Sequence, residues 1–499
     1  MEYEPVIGLE VHVQLLTRSK MFCSCRAEYQ SADPNSLVCP VCLGMPGTLP
    51  VVNRRAVGHA IVTGLALDCD IATYTKFDRK NYLYPDLMKG YQISQYDAPV
   101  ATGGRLEVDV GSGDRAYTRS VGVVRVHLEE DVAKLQHFRD TEDRSGQYSL
   151  VDVNRGGVPL MEIVSEPDLR SAEEARLYLT GLRSILRYLE VSTGNMEDGS
   201  FRCDANVSVR PRGSREYMSR VEVKNMNSFR AVHDALEYEI ARQARVVGEG
   251  GTVVQETRGW VEERRATVSQ RSKEYAHDYR YFPEPDIPPL VIEPAWVEEL
   301  RRSLPELPEK RRGRFVKQYG LPAYDAALLT GARATADYFE ECMSLGGSSA
   351  GPARAKTIAN WVLVELAHLL GREGVGIQES RVTPAHMADL ARLVESDAIS
   401  GTLAKRVLEE SFDTGELPSV VVRERGYLQI SDSTAVESAV EEAVGAHPQA
   451  VADYVKGKET AARFIVGQVM KLTGGRAKPA LVNDLVKRKL EMVRVANGS

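Results

Sequence analysis

Strict alternation of apolar and polar residues is the first regularity along the chain. In Leu9-Glu10-Val11-His12-Val13-Gln14-Leu15 the apolar side chains fall on one side of a strand, and Glu10, His12 and Gln14 fall on the other. The pattern returns at residues 202–210, where Cys203, Ala205, Val207 and Val209 oppose Asp204, Asn206 and Ser208. It recurs at residues 220–225, with Glu222 and Lys224 on the polar side. The Pro211-Arg212-Gly213-Ser214 stretch between these two segments predicts a hairpin. A fourth run, residues 124–129, leads into Glu130 and Asp131. The region from residue 1 to about 295 therefore reads as strand-rich, with two helices set into it. In the first, Ser171 and Glu174 form a capping box ahead of Tyr178, Leu182, Ile185, Leu186 and Leu189 on one face. The second is expected from Phe229 to about Val247.

The texture then changes. The proline-dense run at residues 282–289 cannot be regular structure and marks the approach to a boundary. Beyond it the pattern predicts helices at residues 295–303, 308–319, 335–342, 356–371 and 384–394, separated by Pro and Gly. A further unit starts near Gly401 and includes an amphipathic helix at residues 461–472. The expected organisation is α+β, with a strand-rich domain at residues 1–295 followed by two all-helical domains at 296–400 and 401–499.

Composition adds less. A hydrophobic content of 43% and a charged content of 27% suit a soluble globular chain. No apolar run is long enough to span a membrane, and the N-terminus has no basic or apolar leader, so a cytoplasmic protein is expected. The net charge of −7 argues against a nucleic-acid partner only on average. Between Asp453 and Lys489 nine basic residues meet three acidic ones, a local excess of +6 that includes Lys471, Arg476 and Lys478. Such a patch is either an electrostatic footprint for phosphates or a solvated helical face.

Four of the seven cysteines crowd together, as Cys23-Ser24-Cys25 and Cys39-Pro40-Val41-Cys42 with thirteen residues between the pairs. Two such pairs can close round one tetrahedral Zn²⁺, and a site with four thiolates leaves no position for substrate, so it is structural. The polar strand faces carry a different chemistry. Single carboxylates and a histidine on neighbouring strands are ligands for a hard cation such as Mg²⁺, although any one of these strands read alone is simply an exposed sheet face. If the strands share a sheet, Glu10, His12, Glu129 or Glu130, Asp204 and Glu222 surround one concave site. There is no P-loop and no G-x-G-x-x-G motif, so metal and strand residues would have to hold any nucleotide. Nor is there a Ser/Lys or Cys/His arrangement suited to releasing ammonia from glutamine.

The motifs taken in order resemble one family. Gly8-Leu9-Glu10-Val11-His12-Val13-Gln14-Leu15, Lys76-Phe77-Asp78-Arg79-Lys80-Asn81-Tyr82, Tyr84-Pro85-Asp86 and Lys89-Gly90-Tyr91-Gln92-Ile93-Ser94-Gln95 are similar to the B subunits of bacterial tRNA-dependent amidotransferases. So are His127-Leu128-Glu129-Glu130-Asp131, Glu162-Ile163-Val164-Ser165-Glu166-Pro167-Asp168 and Arg202-Cys203-Asp204-Ala205-Asn206. The likeness continues through Glu222-Val223-Lys224-Asn225-Met226-Asn227-Ser228-Phe229, Tyr279-Arg280-Tyr281-Phe282-Pro283-Glu284-Pro285-Asp286 and, in the tail, Phe464-Ile465-Val466-Gly467-Gln468-Val469-Met470-Lys471. Residues 152–159 and 268–273 depart slightly from the commonest family wording. The four cysteines are absent from some members, which implies that zinc is a scaffold element rather than a reactant.

The resemblance implies a strand-built cradle with a helical domain and a tRNA-binding tail behind it. It also implies a heterotrimer, in which an amidase subunit releases ammonia and a second, small partner subunit braces the assembly. The B chain itself would use ATP and Mg²⁺ to phosphorylate the side-chain carboxylate of misacylated Glu-tRNA(Gln) or Asp-tRNA(Asn), and channelled ammonia would then displace phosphate. On this likeness His12, Glu130, Asp204 and Glu222 map to the metal and nucleotide site, with Lys224 at the nucleotide and Glu10 and Glu129 beside it. Lys80, Asn81 and Lys89 fall in stretches along the ammonia path, although a surface ion pair is the simpler account for either lysine. The rival reading is a non-catalytic, zinc-containing tRNA-binding translation factor whose acidic strand face is merely solvated.

Overall fold

The computed structural model describes residues 2–111, 113–139, 147–214, 216, 218–272, 278–346, 351–428 and 433–497. Lys273, at the end of one divergent stretch, lies outside them. The chain forms two compact units, residues 1–307 and 308–499.

In the first unit the strands run β1 (Tyr3–Gln14), β2 (Asp70–Ile71), β3 (Tyr74–Thr75), β4 (Asp78–Asn81), β5 (Tyr91–Ser94), β6 (Ala101–Val110), β7 (Tyr117–Glu130) and β8 (Lys134–Arg139). They continue as β9 (Gln147–Asp152), β10 (Pro159–Ser165), β11 (Phe201–Pro211), β12 (Val221–Lys224), β13 (Glu256–Val261), β14 (Ala266–Ser272), β15 (Phe282–Pro283) and β16 (Leu290–Val291). Among the described residues four α-helices accompany them: α1 (Arg54–Ala66), α2 (Ala172–Tyr188), α3 (Phe229–Gly248) and α4 (Pro294–Ser303). Nine strands make one sheet in the order β14-β13-β12-β11-β1-β10-β7-β6-β2. β1, with twelve residues, sits near its centre and pairs antiparallel with both β10 and β11. The predicted hairpin is present as β11 and β12, with Ala205 opposite Val223 and Asn206 opposite Glu222.

One face of this sheet is sealed. Ile7, Leu9, Val11 and Val13 of β1 join Cys203, Ala205 and Val207 of β11 in a single core with Tyr178, Leu182 and Leu186 of α2 and Val232 and Leu236 of α3. Alternation leaves every other side chain of the same strands on the opposite, open face. The Ser171 hydroxyl caps α2 by accepting from the Glu174 N–H at 3.1 Å, and Ser228 caps α3 in the same way at 3.0 Å. The hydrophobic pattern does not signal α1, because its alanines, glycines and single histidine blur the helical stripe; Asn53 caps it.

The second unit is helical among its described residues. Its helices are α5 (Pro308–Tyr319), α6 (Ala323–Leu329), α7 (Arg333–Ser344), α8 (Pro352–Asn360), α9 (Ala367–Glu373), α10 (Pro384–Glu395), α11 (Gly401–Thr414) and α12 (Pro418–Glu424). The last four are α13 (Ser433–Ala446), α14 (Pro448–Val455), α15 (Thr460–Leu472) and α16 (Pro479–Asn497). The helix expected at 356–371 is broken into α8, a π-helical segment at Trp361–Leu366, and α9. Two cores divide this unit. One gathers residues from Phe315 to Val422, including Leu403, Val407 and Leu408 of α11, and the other runs from Val436 to Leu490. The expected cut near residue 401 therefore falls inside a packed core, whereas α4 packs with the first unit through Trp296, Val297 and Leu300.

Leu182 is fully buried on α2. Leu182→Ala should lower the unfolding free energy by about 2–5 kcal/mol, as cavity-forming core substitutions do, and Ser171→Ala by about 1 kcal/mol through the lost cap. Denaturant titrations followed by circular dichroism check both, and equal effects would contradict this account of the sheet's sealed face.

Candidate functional site

Strand register decides which side chains meet on the open face. His12 of β1 lies opposite Glu162 of β10 and Arg202 of β11, and Glu10 lies opposite Val164 and Asp204. One strand further out, Glu162 faces His127 of β7 and Leu160 faces Glu129. On the other flank Asn206 faces Glu222 of β12. The strands expected to carry chemistry are thus neighbours in one sheet.

Their centre is a buried carboxylate between two imidazoles. His12 Nε2 stands 3.5 Å from Glu162 and 3.7 Å from Glu129, and His127 Nε2 stands 3.2 Å from Glu162. Burial by itself lowers the His12 pKa, but Glu162 and then Glu129 outweigh it and raise it to about 9. Glu162 shows the converse: burial pushes its carboxyl up, yet His127 and His12 override that and hold it well below the carboxylate range. Ser94 donates to Glu129 at 3.2 Å. His127 Nδ1 is buried and has no hydrogen-bond partner among the described residues. One donor atom from each of His12, Glu129 and Glu162 lies within 4.8 Å of the others. Two carboxylates and one imidazole are a donor set suited to a hard divalent cation.

A second group lies further along the same face. Lys224 Nζ approaches Asp204 at 2.5 Å and Glu222 at 3.4 Å, while Thr257 donates to Glu222 at 2.8 Å. Burial opposes the Lys224 charge, but Asp204 and then Glu222 prevail and raise its pKa. Glu10 sits between the two groups and accepts from Asn206 Nδ2 at 2.9 Å. Burial first, and then the nearby Glu162, Asp204 and Glu222, push its carboxyl upward.

The expected set of His12, Glu130, Asp204 and Glu222 is therefore spread out. Glu129, not Glu130, stands beside His12, because successive strand residues point to opposite sides. Glu130 turns toward β5, where it accepts from the Ile93 N–H at 3.0 Å and pairs with Lys89. Asp204 and Glu222 share the open face with His12 but are held by Lys224. Glu162 and His127 do not stand out as ligands in the residue pattern. A signal for the first exists in Leu160-Met161-Glu162-Ile163-Val164, where one carboxylate interrupts an apolar run.

The residues expected along an ammonia path lie on β4 and just ahead of β5. Lys80 Nζ sits 5.1 Å from the Tyr279 ring and 5.8 Å from that of Tyr82. Burial opposes its charge, and Glu129 leads the groups that nonetheless raise its pKa. Asn81 donates to the Arg280 carbonyl at 2.8 Å, and Lys89 lies 5.6 Å from the Tyr91 ring.

The four cysteines do converge. Their sulfurs all lie within 4.8 Å of one another, and tetrahedral zinc, with Zn–S near 2.3 Å, needs sulfurs about 3.8 Å apart. Cys42 is held down to about 4 by a hydrogen bond from Cys23, with Lys20 among the groups that help, whereas the Cys23 thiol is raised by the same bond. Lys20, fully buried, points its ammonium at Cys42 Sγ from 3.7 Å. The site fits a soft tetrahedral ion.

In the second unit the basic tail is partly neutralised. Lys478 pairs with Asp397 at 2.7 Å and Lys489 with Glu441 at 2.6 Å, both partners lying outside residues 453–489, so the local excess falls from +6 to +4. Arg476 donates to the Thr473 carbonyl at 3.2 Å, and Lys471 lies in the last turn of α15. Among the described residues no helix is long and apolar enough to cross a membrane.

Comparison with known proteins identifies the family. Residues 5–298 match the family model of the GatB/GatE catalytic domain, and residues 337–490 match that of the GatB domain. A relative from Carboxydothermus hydrogenoformans is 53% identical over 98% of this chain and 99% of its own. One from Moorella thermoacetica is 53% identical over 98% of this chain and 100% of its own. A third, from Dehalococcoides mccartyi, is 53% identical over 98% of this chain and 99% of its own. All three are named as the B subunit of aspartyl/glutamyl-tRNA(Asn/Gln) amidotransferase. With both family models matched in order and the relatives aligned nearly end to end, the chain belongs to the family of aspartyl/glutamyl-tRNA(Asn/Gln) amidotransferase B subunits.

Proposed function

We propose that this chain uses ATP and Mg²⁺ to phosphorylate the side-chain carboxylate of glutamate or aspartate esterified to tRNA, and that ammonia then displaces the phosphate. A carboxylate oxygen attacks the γ-phosphorus and ADP departs. Ammonia next attacks the acyl carbon and phosphate leaves, giving Gln-tRNA(Gln) or Asn-tRNA(Asn). The observation that carries this reading is the convergence of His12, Glu129 and Glu162 on one open sheet face. When bound there, Mg²⁺ would neutralise charge on the transferred phosphoryl group. His12, Glu129 and Glu162 would hold it, and His127 would fix Glu162 from behind. Lys224 holds Asp204 and Glu222 in place at the nucleotide side, with Glu10 between the two groups. Lys80, Asn81 and Lys89 would line the approach of ammonia, and the Lys89–Glu130 pair would stand on that route. The partners on this reading are an amidase chain, a small bracing chain that completes the heterotrimer, and the misacylated tRNA, which the α13–α16 tail would grip. Structural Zn²⁺ would occupy the four cysteines in the cytoplasmic enzyme.

Glu162→Gln should cut ATP-dependent amidation about 100-fold, roughly 2.7 kcal/mol of transition-state stabilisation. Asp204→Asn or Glu222→Gln should act in the same direction. Glutamine hydrolysis by the partner amidase should survive in part, since its nucleophile lies on another chain. Phosphate release measured with each misacylated tRNA separates the two steps. Full ATP-dependent amidation by Glu162→Gln would remove it from the site, and a wild-type complex that binds tRNA without releasing phosphate would favour a purely tRNA-binding role.

Metal analysis of the purified chain should find about one Zn²⁺ per molecule, as a closed four-thiolate site requires. Cys39→Ser should lose the metal and lower the melting temperature more than it changes turnover of the folded enzyme. Stoichiometric disulfides with no metal would contradict this.

Deleting residues 429–499 should raise the KM for aminoacyl-tRNA about tenfold or more while lowering kcat less, because phosphate contacts position the substrate without doing chemistry. Charge reversal at Lys471, Arg476 and Lys478 should reproduce part of that loss and flatten its salt dependence. Equal tRNA affinity for the full and truncated chains at two salt concentrations would show that the basic residues only solubilise the tail.

A further inference from the structure

A lysine lies buried beside the four cysteines. Lys20 has no exposed surface, although lysine is almost never fully buried without a partner. Among the described residues its ammonium meets no carboxylate. Its contacts are Cys42 Sγ at 3.7 Å and the Val153 carbonyl at 3.4 Å. A Cβ at Gly157 would lie 3.4 Å from the Lys20 stem and 3.9 Å from Glu130, yet Glu130 pairs with Lys89 rather than with Lys20. A carbonyl dipole alone does not offset the cost of burying a cation, so the countercharge has to come from sulfur.

The backbone fixes Lys20 in this place. Its own N–H donates to the Cys25 carbonyl at 2.9 Å, and the next N–H, that of Met21, donates to the Gly157 carbonyl at 2.7 Å. The main chain of Lys20 is thus tied to the first cysteine pair while its side chain reaches the second. At the second pair the Cys39 N–H also donates to Cys42 Sγ, at 3.2 Å. Cys42, the buried member of the four, therefore receives two donors, one of them charged. A metal-bound thiolate needs such surroundings, and a neutral thiol does not. Four thiolates around one Zn²⁺ leave two negative charges in excess. In a site closed to water that excess is costly, and one ammonium halves it.

We infer that Lys20 is a positioning residue of the metal centre: its ammonium donates to Cys42 Sγ, offsets the charge of the four-thiolate site and slows loss of the metal. The inference rests on the zinc reading given above. Groups that hydrogen-bond a metal ligand from outside commonly change metal affinity about 10–100-fold. Lys20 holds no metal itself, and its effect falls on how firmly the sulfurs keep theirs.

Zinc release from the loaded full-length chain to a chromogenic chelator tests this. Lys20→Met should release the metal about tenfold faster than the wild type, and Lys20→Arg, which keeps the cation, should restore most of the wild-type rate. Replacing zinc by Co²⁺ adds a readout that packing alone would not move. A Cys42 sulfur relieved of a neighbouring cation gives up its electrons more readily, so the thiolate-to-cobalt charge-transfer band of Lys20→Met should shift to longer wavelength. Lys20→Gln, a neutral donor, carries the same test should Lys20→Met not fold. Equal release rates and an unmoved band in the folded variant would overturn the assignment of Lys20 while leaving the zinc centre standing. Faster release with an unmoved band would reduce Lys20 to packing and overturn it as well. A wild-type chain that binds neither metal would overturn the zinc reading, and this inference with it.

Discussion

The first unit is organised around one buried negative charge. Glu162 is nearly inaccessible, and an unpaired carboxylate there would protonate rather than stay ionised. His12 and His127 prevent that by closing on it at 3.5 and 3.2 Å. The arrangement asks three adjacent strands to hold their register, because a slip of one residue would send each of these side chains into the apolar core. The long β1 pairings to β10 and β11, and the core sealed under Ile7, Leu9, Val11 and Val13, supply that constraint. Without the apolar face there would be no fixed polar one.

Compensation then spreads outward in pairs. Asp131 is buried, yet Arg202 and Gln14 bind it at 2.8 and 2.7 Å and its carboxyl stays below the ordinary range, with burial opposing and Arg202 and Arg155 prevailing. Lys224 serves Asp204 and Glu222, and Lys89 serves Glu130. Removing one member of any such pair strands the other in low dielectric, so a charge-changing substitution here costs more than the pair itself contributes. A face rich in carboxylates can accordingly still receive an anionic substrate. Most of its negative charge is matched in place, and His12, Glu129 and Glu162 are left as the donor set proposed above for the cation.

Much of this is legible in the chain. Alternation in Leu9–Leu15 and at 202–210 assigns each residue to a face, and the Ser171 capping box locates α2. The hairpin of β11 and β12 follows from the turn residues between them. Alternation in residues 124–129 already puts Glu129 on the polar face with His127 and Glu130 on the opposite one, but it says nothing about which strands become neighbours, and that is why it gives Glu162 no weight as a ligand. Cross-strand partners are set by topology, and the order β11-β1-β10-β7 joins segments up to about two hundred residues apart in sequence. In the second unit, α11 continues the apolar spacing of the core before it, so no composition break could mark the real division between its two cores. The π-helical turn at Trp361–Leu366 likewise leaves no trace in a pattern read at 3.6 residues per turn.

The cysteine knuckle shows how a scaffold element can bear on chemistry without joining it. Gly44 has φ of +68°, and a Cβ there would fall 2.2 Å from Lys89 Cγ. Gly157, with φ of +85°, lies where a Cβ would crowd Lys20 at 3.4 Å and Cys42 at 3.6 Å. The loop carrying Cys39 and Cys42 is thus pressed against the stem of Lys89 on one side and the buried ammonium of Lys20 on the other. A cavity of about 190 Å³ is bounded jointly by Cys23, Cys42, Lys89 and Glu130. A four-thiolate metal centre there would be chemically closed, but it would fix the backbone that limits where the Lys89 side chain can go. The Lys89–Glu130 pair beside the proposed ammonia route is thus packed against the loop that carries Cys39 and Cys42.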